Sequence, residues 1–318
     1  MSAEIPAETT FVHNVCWPLL QSAQNSDGGW GFHPGSQSRV EPTCWALHAM
    51  LYALPSQPLG EIIPSGFRFL RAAQLSDGAW PSSPEETAGS WVTSLASWVL
   101  LSDKDSPRAV TAGIQWLCDD WPRDSTPWRR LLRKFSSDRH LSTQNDSYRG
   151  WGWTPGTSSW VEPTSFALIA LAESPKEHLP AEADRRRELA EAMLYDRMCP
   201  GGGWNCGNPR VYGVAGEPLV IPTVWALLAL HQYPTRPENM MSIEWLENIV
   251  ATVQGPGSLA LARICLESYG RKWPMNGRLV SDFYQRNKFL GSISVTAWIC
   301  MAWGSRLHWL SNANGKVP

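Results

Sequence analysis

Two tripeptides, Glu41-Pro42-Thr43 and Glu162-Pro163-Thr164, set a carboxyl group two residues ahead of a threonine at the start of a strongly apolar run. Acid–base chemistry and helix capping are both open to such a group. Burial would raise its pKa and keep it protonated, whereas the positive end of a helix macrodipole would favour the carboxylate. As a cap it would satisfy backbone N–H groups, with proline tolerated in the first turn. Two places beyond the Thr or Ser of six such helix starts come Trp45, Leu95, Phe166, Trp225, Ala260 and Trp298, an aromatic or apolar tier in register. His48 and Trp98 lie farther along, and Trp91 stands at a helix start. These rings either line an apolar cavity or fill a core; His48 alone reads equally as a core histidine.

The elements that must position these groups repeat. Gln24-Asn-Ser-Asp-Gly-Gly-Trp30 precedes Val40-Glu-Pro-Thr-Cys-Trp-Ala-Leu, and Gln74-Leu-Ser-Asp-Gly-Ala-Trp80 precedes Ser90-Trp-Val-Thr-Ser-Leu-Ala. The pattern returns as Gly150-Trp-Gly-Trp153 before Val161-Glu-Pro-Thr-Ser-Phe-Ala-Leu, and as Gly201-Gly-Gly-Trp204 before Val220-Ile-Pro-Thr-Val-Trp-Ala-Leu. A period near 50 residues means stacked supersecondary units, each too small to bury its own apolar face. Apolar periodicity predicts helices over 11–23, 43–54, 67–74, 91–101, 107–116, 164–172, 181–195, 223–232, 242–253, 258–269, 279–288 and 292–303. One member of each pair is amphipathic and the other apolar almost all round. A helix apolar on every side must be covered on every side. The expected fold is therefore all-α, an (α/α)6 toroid of six hairpins with the apolar helices inside, forming a single domain over 1–318. The stretch 119–149 departs from the repeat as a basic insertion, and 184–188, Asp-Arg-Arg-Arg-Glu, reads as a solvated outer face.

The chain has 318 residues, a formal net charge of -2 and 19 tryptophans against 7 tyrosines and 8 phenylalanines. Near-neutral charge gives no field to draw nucleic acid. Each tryptophan brings a large apolar area and an N–H that needs a partner, so the enrichment points to aromatic plugs, an aromatic-lined cavity, or both. Seven unpatterned cysteines read as reduced thiols. No secretory signal or spanning helix is visible, and the expected location is cytoplasmic, with peripheral membrane contact open.

Gly66-Phe-Arg-Phe-Leu-Arg-Ala-Ala-Gln-Leu-Ser-Asp-Gly-Ala-Trp80 resembles the glutamine-tryptophan repeat of squalene-hopene cyclases and related terpenoid cyclases, and Gln24–Trp30 is a second match to its core. The cassettes are also similar to the β-subunits of protein prenyltransferases, which share the toroid. The resemblance implies an apolar chamber that takes an isoprenoid, with ring faces able to stabilise carbocations. Terpenoid cyclases of class II start by protonating an alkene or epoxide with the middle Asp of Asp-x-Asp-Asp-Thr. That motif is absent here; aligned on Thr, Glu41 and Glu162 take the position of the donor, with proline replacing the Asp that follows. Zinc prenyl transfer is not expected, because no Asp-x-Cys pair stands at these helix starts and no His at the last. No cofactor or metal is expected.

The resemblance thus implies a terpene cyclase-like protein acting on a polyprenyl or squalene-type substrate by acid-initiated cyclisation or isomerisation. Glu41 and Glu162 are the candidate donors. Trp45, His48, Trp91, Trp98, Phe166, Trp225 and Trp298 would line the substrate. Arg129, Arg130 and Arg133, with Lys134, would contact a phosphate if the insertion folds over the mouth, and otherwise form a solvated or membrane-surface face. The alternative is a non-catalytic lipid-binding or scaffold toroid that partners a separate enzyme. Asp119-Asp120-Trp-Pro-Arg-Asp124 lacks the second motif of an aspartate-rich magnesium site and reads as a turn.

Overall fold

A computed structural model describes residues 7–52, 59–123, 144–211, 213–275 and 279–304. The fold is all-α, of the paired-helix kind expected for an α/α toroid. In chain order the helices are α1 (Ala7–Phe11), a π-helical turn (Val12–Cys16), α2 (Trp17–Ser22), α3 (Val40–Tyr52), α4 (Ile62–Ala72), α5 (Val92–Leu100) and α6 (Pro107–Asp119). There follow α7 (Val161–Glu173), α8 (Ala183–Asp196), α9 (Val220–Ala229), α10 (Pro237–Ile249), α11 (Pro256–Ser268), α12 (Leu279–Asn287) and α13 (Ile293–Trp303). The expected helix over 11–23 is interrupted by the π turn, and α3, α7 and α9 each start three residues before the threonine, with proline inside the first turn. Proline is harmless there because the first N–H groups of a helix have no intrahelical acceptor. A two-stranded ribbon, Arg210–Val211 with Val214–Ala215, was not expected from the sequence.

The chain divides into two compact units. One comprises residues up to 74, 82–85 and those from 250 onward; the other comprises 75–81 and 86–249. In the first, the apolar helices α3 and α11 pack on α13, and α4 backs α3. In the second, α5 and α9 pack on α7, with α6, α8 and α10 as their amphipathic partners. Each apolar helix is buried nearly all round: every residue of α5 and all but Glu41, Leu51 and Tyr52 of α3 are buried.

The repeat has one physical cause, seen in both units. At each glycine turn the tryptophan backbone N–H donates to the threonine Oγ1 in the first turn of the next apolar helix: Trp30 to Thr43 at 2.9 Å, Trp80 to Thr93 at 2.9 Å, Trp151 to Thr164 at 2.9 Å and Trp204 to Thr223 at 2.8 Å. The same hydroxyl donates back to the tryptophan carbonyl. The ring plugs the hairpin at or below 2% exposure, and its indole N–H reaches the preceding outer helix, Trp30 to the Leu20 carbonyl at 2.8 Å and Trp204 to that of Leu194 at 2.6 Å. Gly28, Gly78 and Gly202 sit at φ of 90°, 94° and 91°, a left-handed conformation that glycine alone adopts without strain. In the third cassette the plug is Trp151, bonded to the Leu117 carbonyl at 2.8 Å, while Trp153 is free to serve elsewhere.

One expectation is corrected. Arg186 lies in the charged stretch read as solvated, yet it is wholly buried. Its guanidinium is sandwiched between Trp121 at 4.1 Å and Trp151 at 4.0 Å and donates to the Asp120 carbonyl at 2.9 Å. Cation–π attraction and the carbonyl offset part of the desolvation that pushes its pKa down to about 10.

Candidate functional site

The second residue of α3 is Glu41, and the second of α7 is Glu162. Neither carboxylate accepts a backbone N–H among the described residues, so the capping use is not what the structure shows at either position. Glu41 is half-buried, and its pKa is pushed up to about 7 by loss of water; the Trp45 indole, one turn on, acts as a donor in the opposite direction. Glu162 is half-buried too, and desolvation raises its pKa. Loss of water is the largest cause of the shift in both cases.

Beneath each carboxyl lies a set of rings. In the first unit Trp45 meets Trp298 of α13 edge to face at 5.7 Å, and His48 lies 5.9 Å from Trp45 and stacks on Tyr52 at 6.0 Å. His48 is fully buried, and burial pushes its pKa down to about 3, so the imidazole is neutral. In the second unit Trp91 stacks on Phe166 at 5.4 Å, and Phe166 meets Trp225 of α9 edge to face at 4.8 Å. Trp153 closes this set against Trp91 at 5.0 Å, with the Trp91 N–H donating to the Trp153 carbonyl at 3.2 Å. Trp98, in the middle of α5, is buried.

The structure thus brings Glu41, Trp45, His48 and Trp298 together in one unit, and Glu162, Trp91, Phe166 and Trp225 in the other. Sequence reasoning missed Tyr52 and Trp153 as members. Tyr52 is one helical turn beyond His48, which the 3.6-residue period could have shown; Trp153 could not be found without knowing that Trp151 is the plug. Arg129, Arg130, Arg133 and Lys134 lie outside the described residues. Among the described residues no group of three or more His, Cys, Asp or Glu is arranged to hold a metal ion, and no helix is long and apolar enough to cross a membrane. An open cleft of about 260 Å³ between Val253, Met275, Leu279 and Phe283 is lined by none of the ring residues.

Sequence comparison bears out the resemblance. The chain is 26% identical to a drimenyl diphosphate synthase from Streptomyces showdoensis over 256 residues, 69% of this chain and 46% of that protein. It is similar to the terpenoid cyclases. The chain spans less than half the length of this relative. No protein-family model matches. Among solved structures, a protein from Actinoplanes overlays on 96% of the chain and 99% of its own, at 16% identity and a TM-score of 0.57. An endo-1,4-D-glucanase from Vibrio fischeri overlays on 93% of the chain and 94% of its own, at 12% identity and a TM-score of 0.54. At these identities the likeness is one of fold alone, and the fold carries unrelated chemistries. A type II terpene cyclase from Scytonema, in complex with merosterolic acid A, aligns with 96% of the chain and 97% of its own at 17% identity and a TM-score of 0.41.

Proposed function

We propose that this chain acts on an isoprenoid, polyprenyl or squalene-type, by acid-initiated cyclisation or isomerisation, with Glu41 as the proton donor. The observation that carries the reading is a half-buried carboxyl, pushed up to about 7, at the head of an apolar helix and one turn above Trp45. A carboxylic acid protonates an alkene or epoxide only while it is neutral and dry, and the ring faces below would stabilise the cation that results. The similarity to a drimenyl diphosphate synthase supports the substrate class. Glu162 is the second candidate donor. The residues 1–318 act in this reading as one toroidal domain, with Arg129, Arg130 and Arg133 meeting a diphosphate and a cytoplasmic setting that allows peripheral membrane contact.

A second reading, a non-catalytic lipid-binding or scaffold toroid, is favoured by one observation: Trp45 and Trp225 are each only 1% exposed, as rings that fill rather than line. Incubation with polyprenyl diphosphates and squalene-type hydrocarbons, read by mass spectrometry, separates the two. Cyclised product from the wild type, lost in Glu41→Gln, supports the first; product unchanged in both Glu41→Gln and Glu162→Gln removes the acid role; no product from any substrate favours the scaffold.

A further inference from the structure

Ser294 is the second residue of α13, two places ahead of Thr296, as Glu41 is the second of α3, two places ahead of Thr43. The helices α3 and α13 pack together in one unit, and the edge-to-face contact of Trp45 with Trp298 at 5.7 Å fixes their register. One helical turn separates Glu41 from Trp45, and one turn separates Ser294 from Trp298. Residues four apart share a helix face, and their side chains lean toward the N-terminus. Glu41 and Ser294 therefore stand at the same level, each above its tryptophan.

Two polar groups at this level lack a use in the fold. Ser294 is 6% exposed, and its Oγ has no hydrogen-bond partner among the described residues; the buried Trp298 Nε1 has none either. Leaving a buried donor unpaired costs about 1–3 kcal/mol, and buried polar groups in folded proteins are nearly always paired. In the other unit the corresponding partner of Glu162 is Ile221 of α9, which has nothing to donate. The Glu162 site thus has no counterpart of the Ser294 hydroxyl on α9.

We infer that the Ser294 hydroxyl and the Trp298 indole N–H form a subsite for an oxygen atom of the ligand opposite Glu41, so that the group protonated there is an oxygenated terminus, an epoxide, and not a bare alkene. The inference rests on the acid role of Glu41 and narrows its substrate class. A hydrocarbon terminus would leave both donors unpaired, whereas an epoxide oxygen accepts hydrogen bonds through two lone pairs. Transfer of the Glu41 proton forms the O–H bond as the C–O bond breaks. The oxygen stays in the product as a hydroxyl, and the positive charge passes to carbon, where the π pair of a neighbouring alkene forms the new C–C bond. The last cation loses a C–H proton to water, and Glu41 regains its proton from solvent.

The test uses the full chain and a matched pair of probes, a linear polyprenyl diphosphate and the same molecule with its terminal alkene converted to the epoxide. Binding is read by tryptophan fluorescence in the Glu41→Gln background, and turnover by mass spectrometry with Glu41 intact. The expected result is at least about 10-fold tighter binding of the epoxide, with Ser294→Ala reducing that preference about 5-fold or more and leaving the alkene unchanged. Trp298→Phe, which keeps a ring and removes the N–H, should also reduce that preference about 5-fold or more and serves if Ser294→Ala fails to fold. Equal affinity for the two probes, or equal weakening of both in the variants, overturns the subsite. Undiminished turnover in Glu41→Gln overturns the acid role instead, and the binding preference distinguishes the two failures.

Discussion

The heads of α3 and α7 are built alike and equipped differently. Both begin with Val-Glu-Pro-Thr, both use the threonine to hold a tryptophan turn, and both carry a half-buried carboxyl above an aromatic residue. Around Glu41 the neighbours end in polar atoms: the Trp45 indole, the unpaired Trp298 Nε1 and the unpaired Ser294 Oγ. Around Glu162 the helix α9 offers Ile221, and Trp91 stacks on Phe166, which meets Trp225 edge to face. The cassette is therefore a structural device that tolerates chemistry at one variable position, and the chemistry is set by what the adjacent helix places opposite. In the proposed reading the first head donates a proton to an oxygen and the second contacts an apolar chain.

The largest test of this contrast is the pair of glutamine variants. Glu41→Gln should lower turnover by about 100-fold or more, within the range that removal of a general acid produces. Comparable losses in Glu41→Gln and Glu162→Gln would make the two heads equivalent and break the comparison. The structural half predicts the opposite pattern: Thr43→Val and Thr164→Val should destabilise the fold alike, each by about 1–3 kcal/mol in urea denaturation, because each strands a buried tryptophan N–H. A cost confined to one of them would mean that the turns are not equivalent.

The pH dependence sharpens the contrast further. Only protonated Glu41 can donate, so turnover should fall about 10-fold per unit above about pH 7. Stability follows the same sign: the folded-state pKa of Glu41 lies above its ordinary value of 4.5, so the stabilisation is full below pH 4.5 and is lost as pH rises through about 7. Glu173, at the end of α7 and also pushed up to about 7 by burial, contributes to the stability slope but not to the turnover profile. Glu173→Gln should flatten the melting-temperature slope between pH 5 and about 8 and leave the rate profile in place. The smallest effect is expected at Glu162→Gln, less than about 3-fold in turnover, because α9 places Ile221 and not a hydroxyl at the level of this carboxyl.

Much of this was legible in the chain. Periodicity located the paired helices because burial on one face, or on all faces, writes itself into residue spacing. The Asp-Gly and Gly-Gly turns were legible because a left-handed backbone requires glycine. The alignment on threonine was useful for a reason that the sequence did not give: the hydroxyl is tied to the preceding tryptophan turn. Arg186 was misread as solvated because composition cannot show that Trp121 and Trp151 arrive on either side of it. Trp153 was passed over because two tryptophans two residues apart offer no local signal of which one is buried.

The sequence by itself determined the repeating cassette, the all-α class and the two carboxyls at helix heads, since each follows from short-range spacing and local conformational preference. The tertiary structure alone decided that burial raises the pKa of Glu41 and that Ser294 and Trp298 lie on the helix packed beside it, with Ile221 in the corresponding place beside Glu162. Those are properties of neighbouring helices more than 200 residues apart in the chain for α3 and α13, and desolvation depends on what packs in space, not on what comes next in sequence.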